Sequence, residues 1–577
     1  MPYHKPNHKS SSSSPFIHTF IHTPSTHPNT HLSTRPSTHL STRSSTRSST
    51  SLSFSLSPPT TTSTYWITRF IYLKYLLFIH SVSFLISIRQ SKGLLSPSVG
   101  ILNRREQGDE EGRKKFAPFR SDVGVAFSHW LGFLTSLFYL LSPSSTPSFL
   151  TILTILFCYN TISSTGLLFY NFGWESLLFE CTFLSLFLVP FGGGGIWGRE
   201  ATGRIVVGAG RWLSFRLMIG SGLIKLRAGD RKWKNFRAMD YFYQSQPIPN
   251  PLSKLMHSLP KPWHTLEVLV NHVVELVLPF FFILPFRELR IFSTVAHVVF
   301  QLVLILTGNL SFLNWLTITP LLFGFDDAFW SSVLGLGGLT AKASIAQYSL
   351  SCVGGGGRIG SIVRSITGAG GTFRGIIHLV MGVGLARLSV PVVRNLLDKN
   401  QLMNGSFDKY GLVSTYGAFG VVTEGRSELV IKASNEETGP WEEYSFKVKP
   451  GDVNRRPRWC SPYHHRLDWC MWMAGLGGEG KAGWVKELLR GLVEGRGEVM
   501  ELLGEQSLEV KALYENGGGP KFIKVDEYMY EFDYGEDMGS SVSGWERGKV
   551  WRRKFVRKWT PKQGVYARDD LMGGGKG

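Results

Sequence analysis

Between Val123 and Gly198 the chain has no lysine and no arginine, and this gap limits its fold more than any other feature. A soluble domain of that length spreads cations over its surface. A bilayer core of about 30 Å takes roughly 20 apolar residues of helix. Within the gap, apolar runs at 124–142, 148–170 and 175–191 approach or reach that length. Outside it, runs recur at 65–88, more weakly at 204–224, and again at 268–286, 291–308, 311–325 and 373–393. In the first run Arg69 and Lys74 can snorkel near one end. Hydropathy therefore predicts about six to nine spans, an α-helical multi-pass membrane bundle over residues 65–395. Residues 331–372 are rich in Gly and Ser and predict no definite element.

The flanks differ in character. Residues 1–64 are rich in Ser, Thr, His and Pro, lack Asp and Glu, and carry an imperfect Ser-Thr-Arg/His repeat. Such a segment cannot bury a core and reads as a disordered tail. It has no compact apolar run with a small-residue cleavage site, so it does not read as a signal peptide. From about residue 400 the pattern changes to period two. Ser427 to Ile431, Trp441 to Val448, and Tyr528, Phe532 and their neighbours predict strands, and Trp484 to Leu503 predicts an amphipathic helix. The expectation is a soluble α+β, β-rich C-terminal domain over 400–565.

The net charge of +20 raises nucleic acid as a partner. The cations are scattered through loops without a groove-reading element, so no nucleic acid is expected and loop charge is the better reading. The five cysteines include no C-x-x-C pair. Cys460 and Cys470 lie in the polar C-terminal part, where an oxidising compartment would allow them to pair. Their spacing with His464 and His465 matches no zinc pattern, and no metal or cofactor is expected. There is no G-x-S-x-G elbow, H-E-x-x-H or P-loop. The Gly-x-Gly-x-x-Gly matches at 193–198 and 355–360 fall in polyglycine rather than in a strand-to-helix turn. No catalytic constellation emerges.

Polar residues within the apolar runs carry a cost of about 2.5–3.5 kcal/mol for a charge at membrane depth. Glu175, Glu180, Glu267, Asn271, Glu275, His297, Gln301, Asn309 and Asn314 belong to this group. Glu267, Asn271 and Glu275 recur at four-residue steps and so share one helical face. Interhelical hydrogen bonding is the favoured reading, and a membrane-embedded enzyme or transporter using this stripe is the alternative. Asp326 and Asp327, being adjacent, point to different faces and predict a helix-end or luminal-loop role. Asn404-Gly405-Ser406 is a glycosylation sequon, and Asn309-Leu310-Ser311 is a second one between apolar runs.

Several blocks carry a resemblance. They include Gly173-Trp174-Glu175-Ser176-Leu177-Leu178-Phe179-Glu180, Arg211-Trp212-Leu213 with Phe215-Arg216-Leu217-Met218, and Gln246-Pro247-Ile248-Pro249-Asn250-Pro251-Leu252-Ser253. Gly308 to Thr317 is the most distinctive, followed by Phe325-Asp326-Asp327-Ala328. In the C-terminal part come Tyr416-Gly417, Arg426 with Glu428, Lys449-Pro450-Gly451-Asp452, and Ser461 to Trp469. In this order the blocks resemble the lipase maturation factor family; the loop 100–120 and segments 192–203 and 340–372 depart from it as insertions. The resemblance implies a multi-pass membrane protein of the endoplasmic reticulum that promotes folding of secreted lipases by protein contacts, alongside other folding factors there, with its C-terminal domain in the lumen. Trp459, Tyr463, His464, Arg466, Asp468, Trp469 and Trp472 are the candidate partner-binding residues, because Trp, Tyr and Arg dominate contact energetics. Arg466 in particular reads as a surface group.

Overall fold

The computed structural model describes residues 65–96, 99–102, 121–143, 145–189, 202–335, 358–367, 372–477, 482–515, 518–534, 549–559 and 564–572. The tail, most of loop 100–120, the polyglycine matches up to residue 357, and Cys352 lie outside them. Among the described residues, six helices are long and apolar enough to cross a membrane: α1 (Trp66–Leu95), α2 (Asp122–Leu141), α3 (Phe149–Gly166), α6 (Lys261–Ile283), α7 (Arg287–Thr307) and α10 (Thr372–Leu397). Between them lie α4 (Gly173–Ser185), α5 (Arg204–Arg227), α8 (Leu313–Leu321) and α9 (Asp327–Leu334).

Helix α7 shows why this region belongs in lipid. Phe292, Val295, Val299, Leu302 and Leu306 are exposed, at the three- and four-residue steps of one helical face. Arg290, Ser293, Thr294, His297 and Gln301 on the other side are buried. Apolar out and polar in is the reverse of a helix folded in water, and it fits hydrocarbon solvent. Helices α2, α3 and α10 likewise present Phe138, Leu150, Phe157, Val380 and Val383 outward.

Three expected spans turn out otherwise, and the run at 311–325 forms only the shorter apolar helix Leu313–Gly324. The run at 175–191 forms α4, whose 13 residues reach only about 20 Å. Leu177, Leu178 and Cys181 are fully buried, so it is a core helix. The weak run at 204–224 forms α5, which buries Arg216 and Lys225 among its apolar residues and runs inside the bundle. Helix α6 is not uniform: its α-helical start gives way to a π turn at Val273–Val277.

The aspartates at 326–327 serve helix ends. Asp326 caps α9 by accepting from Phe329 N at 3.0 Å and binds Arg287 Nε at 2.7 Å. Asp327 accepts from Trp66 N at 2.7 Å and Ile67 N at 2.8 Å, capping α1. Neighbouring carboxylates thus close the starts of two different helices.

The C-terminal region is built on an antiparallel sheet of β1 (Arg426–Ser434), β2 (Glu442–Glu443), β3 (Phe522–Phe532), β4 (Trp551–Lys558) and β5 (Tyr566–Ala567). The order is β2-β1-β3-β4, with β5 also pairing β3. The expected strand 441–448 is regular only at β2, although Tyr444 and Phe446 are buried as the alternation implies. Beneath the sheet lie α11 (Arg466–Gly477) and α12 (Trp484–Glu494). The latter stops at Gly495, whose φ of +67° ends the expected longer helix. Trp551 stacks on Phe532, with centroids 4.2 Å apart, in a second buried cluster with Val430, Tyr530 and Val550.

Helices and sheet do not form separate bodies: Thr62–Gly577 is one compact unit. A single apolar core runs from Tyr72 and Leu177 through Phe312 and Trp469 to Leu429, Leu488 and Val525.

Candidate functional site

Charges buried at the junction of helices and sheet define the site. Glu175 and Glu180, both on α4, reach separate partners. Glu175 Oε1 accepts from Arg466 Nη1 at 2.8 Å and from Trp174 Nε1 at 3.1 Å, while its second oxygen takes the Tyr159 hydroxyl. Arg466 also donates to Phe169 O at 2.6 Å and lies 3.5 Å over the Tyr170 ring. Burial opposes its charge, but Glu175 and the tyrosines outweigh that and hold the guanidinium above its ordinary range. Glu180 pairs with Arg216 of α5 and accepts from Ser414 N and Tyr416 Oη, both at 2.6 Å.

A third pair lies within the C-terminal region. Arg426 binds Glu428 at 2.5 Å, and Glu428 also meets Lys449 Nζ at 2.9 Å. Arg426 further donates to the carbonyls of Gln244 at 3.3 Å, Gln246 and Pro247 at 2.8 Å. The segment beginning Gln246-Pro247 is thus held by backbone carbonyls facing a buried cation. Buried pairs of this kind add little net stability but are costly to break singly.

Around Arg466 the candidate contact residues divide. His464, Arg466, Asp468 and Trp469 are buried. Asp468 Oδ1 accepts from Val448 N at 2.7 Å and Lys449 N at 2.9 Å. Trp469 stacks edge-on against Trp174, 5.2 Å between centroids, and His464 packs on the same ring. Burial drives the His464 imidazole well below its usual range, so it is neutral at physiological pH. The expectation that Arg466 is a surface group is therefore corrected: a carboxylate on α4, 291 residues earlier, draws it inside. Tyr463 and Trp472 are half-buried, Trp472 donating to Ser245 O at 3.2 Å.

Trp459 alone of the seven is exposed, at 50%, and its backbone is clamped. Asn309 Nδ2 donates to Arg458 O at 2.7 Å and to Pro249 O at 3.2 Å. Asn309 Oδ1 accepts from Cys460 N at 3.1 Å and Ser461 N at 3.3 Å. Ser461 Oγ donates to Ser311 O at 2.7 Å and receives Trp315 Nε1 at 3.0 Å. Gly308 to Thr317 is thus a platform that holds the chain on both sides of Trp459. The sequence identified Asn309 only as a polar residue at membrane depth and as a sequon; its amide, 1% exposed, is wholly occupied.

The intramembrane stripe does not act as one group. Glu275 pairs with Lys225 of α5 at 2.5 Å. Glu267 accepts from Tyr243 Oη at 2.8 Å and Trp263 Nε1 at 3.0 Å. Asn271 is buried between them. Cys460 and Cys470 are free thiols, and burial pushes each up to about 12. They stay protonated at neutral pH, unsuited to thiolate chemistry. Among the described residues no group of three His, Cys, Asp or Glu gathers to hold a metal. Asn404 is exposed, and its amide exchanges hydrogen bonds with the backbone of Gly417.

Comparison with known proteins gives two family matches. Residues 67–332 match the lipase maturation factor transmembrane domain and residues 412–561 the lipase maturation factor C-terminal domain. Lipase maturation factor 1 from Bos taurus is 36% identical over 539 residues, 88% of this chain and 91% of the relative. The Homo sapiens protein of that name is 35% identical, covering 87% of this chain and 88% of its own length. Lipase maturation factor 2 from Xenopus tropicalis is 27% identical, covering 75% and 71%. No solved structure matches significantly.

Proposed function

Because the chain belongs to the lipase maturation factor family, we propose that it is a membrane-embedded folding factor for secreted lipases, resident in the endoplasmic reticulum and acting through protein contacts rather than catalysis. The observation that carries the contact reading is Trp459. A tryptophan left in solvent while its flanking backbone is fixed by three hydrogen bonds to one asparagine is pre-organised for a partner, since little further entropy is lost on binding. Buried charges elsewhere at the junction serve to keep that platform rigid.

Trp459→Ala is expected to leave accumulation and thermal midpoint unchanged, because half of the ring lies outside the core. Loss of a central tryptophan from an interface typically weakens it by about 2 kcal/mol or more. In cells lacking their own copy, active lipase in the medium should fall accordingly, with the client still made. Normal secretion by this variant would remove Trp459 from the contact surface.

The luminal orientation has its own test. Asn404 is exposed just beyond α10, whereas Asn309 is enclosed. Glycosidase treatment should shift the wild-type band and leave Asn404→Gln unshifted. Digestion of the C-terminal region by protease added to sealed microsomes would reverse the assignment.

A further inference from the structure

A cavity of about 560 Å³ opens where the last turns of α1 meet the C-terminal region, lined by Leu85, Arg89, Lys447, Tyr463, His465 and Glu501. Its charge is lopsided: Arg89 and Lys447 face a single carboxylate, Glu501. Arg455 backs it, donating to Phe446 O at 2.5 Å and to Lys447 O. Lys447 Nζ donates to the backbone oxygen of Glu501 at 2.5 Å. Among the described residues Arg89 has no ion-pair partner. Tyr463 Oη accepts from Gln90 Nε2 at 3.2 Å, which leaves its own proton to donate. The cavity therefore assembles a guanidinium, an ammonium, a phenol and an imidazole, all able to donate, around space that the fold leaves empty.

Burial lowers Lys447; Asp468 and Glu501 act against this, and Arg89 adds to it last. Burial, Lys447 and Arg455 lower His465 against Asp468. An anion placed among these groups favours their charged forms against that burial. Position narrows its chemistry: Leu85 and Arg89 are four residues apart on one face of a spanning helix, and Arg89 is six residues from its end at Leu95, about 9 Å. That places the cavity near the end of a helix long enough to span a membrane, with Leu85 one turn further in. Arginine forks match phosphate oxygens in pairs.

We propose that this cavity binds a phosphate group, carried by an anionic phospholipid headgroup or free in solution. The site is independent of Trp459 and of the client. The test uses the purified full chain. In one arm it is reconstituted in nanodiscs containing phosphatidic acid or only phosphatidylcholine, and retained lipid is read by native mass spectrometry. In the other, inorganic phosphate is titrated against the thermal midpoint in detergent. Retention of phosphatidic acid, or the phosphate-induced shift, should weaken about tenfold in Arg89→Gln, which removes one charge-assisted contact. Lys447→Gln should act in the same direction, and Arg89→Gln should melt normally without ligand, since Arg89 is exposed. Loss in the lipid arm identifies a headgroup, and loss in the phosphate arm alone identifies a soluble phosphate. Equal retention and equal shifts in wild type and both variants would overturn the proposal.

Discussion

Arg466→Ala should lower the stability of the full chain by about 3–5 kcal/mol, the usual result of removing one partner from a buried pair. Glu175 would be left charged between Tyr159 and Trp174 with no cation beside it. The Phe169 carbonyl would lose its donor, and the Tyr170 ring its covering guanidinium. The measurement is the thermal midpoint of detergent-solubilised protein, followed by loss of the monodisperse peak. Replacing both members, Glu175→Leu with Arg466→Met, should recover most of the loss, because two apolar groups of similar volume require no desolvated charge. A single variant that melts with wild type would show that the pair carries no stability. Trp459→Ala differs in kind, since it should change secretion and leave the melt alone.

Arg426→Leu is the second large effect. Three backbone carbonyls, those of Gln244, Gln246 and Pro247, converge on this guanidinium. Each buried acceptor left without a donor costs about 1–3 kcal/mol. Lys449 still meets Glu428 at 2.9 Å, so that carboxylate is not stranded and the cost concentrates on the loop. Amide exchange should therefore rise first across the short helix Met239–Ser245 and the turn after it, before the sheet opens. Unchanged exchange there, with an unchanged melting temperature, would contradict the assigned role of Arg426.

Much of the helical architecture is legible in the sequence because bilayer thickness sets a length that apolar runs must match. Long runs announce themselves; α4 does not, since its 13 residues merge with the apolar chain that follows and mimic a span. The period-two stretches gave β1 and β3 because a strand buried on a face repeats every second residue. The site was only half legible. Trp459 was among the candidates, but nothing local distinguishes it from Trp469, which the fold buries. Arg466 read as exposed because long cations usually are, and its partner lies far away in sequence. Glu267, Asn271 and Glu275 looked continuous because the reading assumed an unbroken α-helix, whereas a π turn at Val273–Val277 interrupts the phase, and Glu267 and Glu275 find different partners.

The capping of α1 by Asp327 has a consequence in time. The amide of Trp66 and the carboxylate that receives it are 261 residues apart. At about 5–20 residues per second of synthesis, roughly a quarter of a minute to nearly a minute separates their emergence from the ribosome. Throughout that interval the beginning of the first helix has been made while its closing group has not. Local segments can insert in order as they are translated, but the end of the bundle opposite the sheet is sealed only when nearly all of its helices have been synthesised. A nascent chain halted before residue 326 would carry every span up to α7 and still leave its oldest helix unfastened.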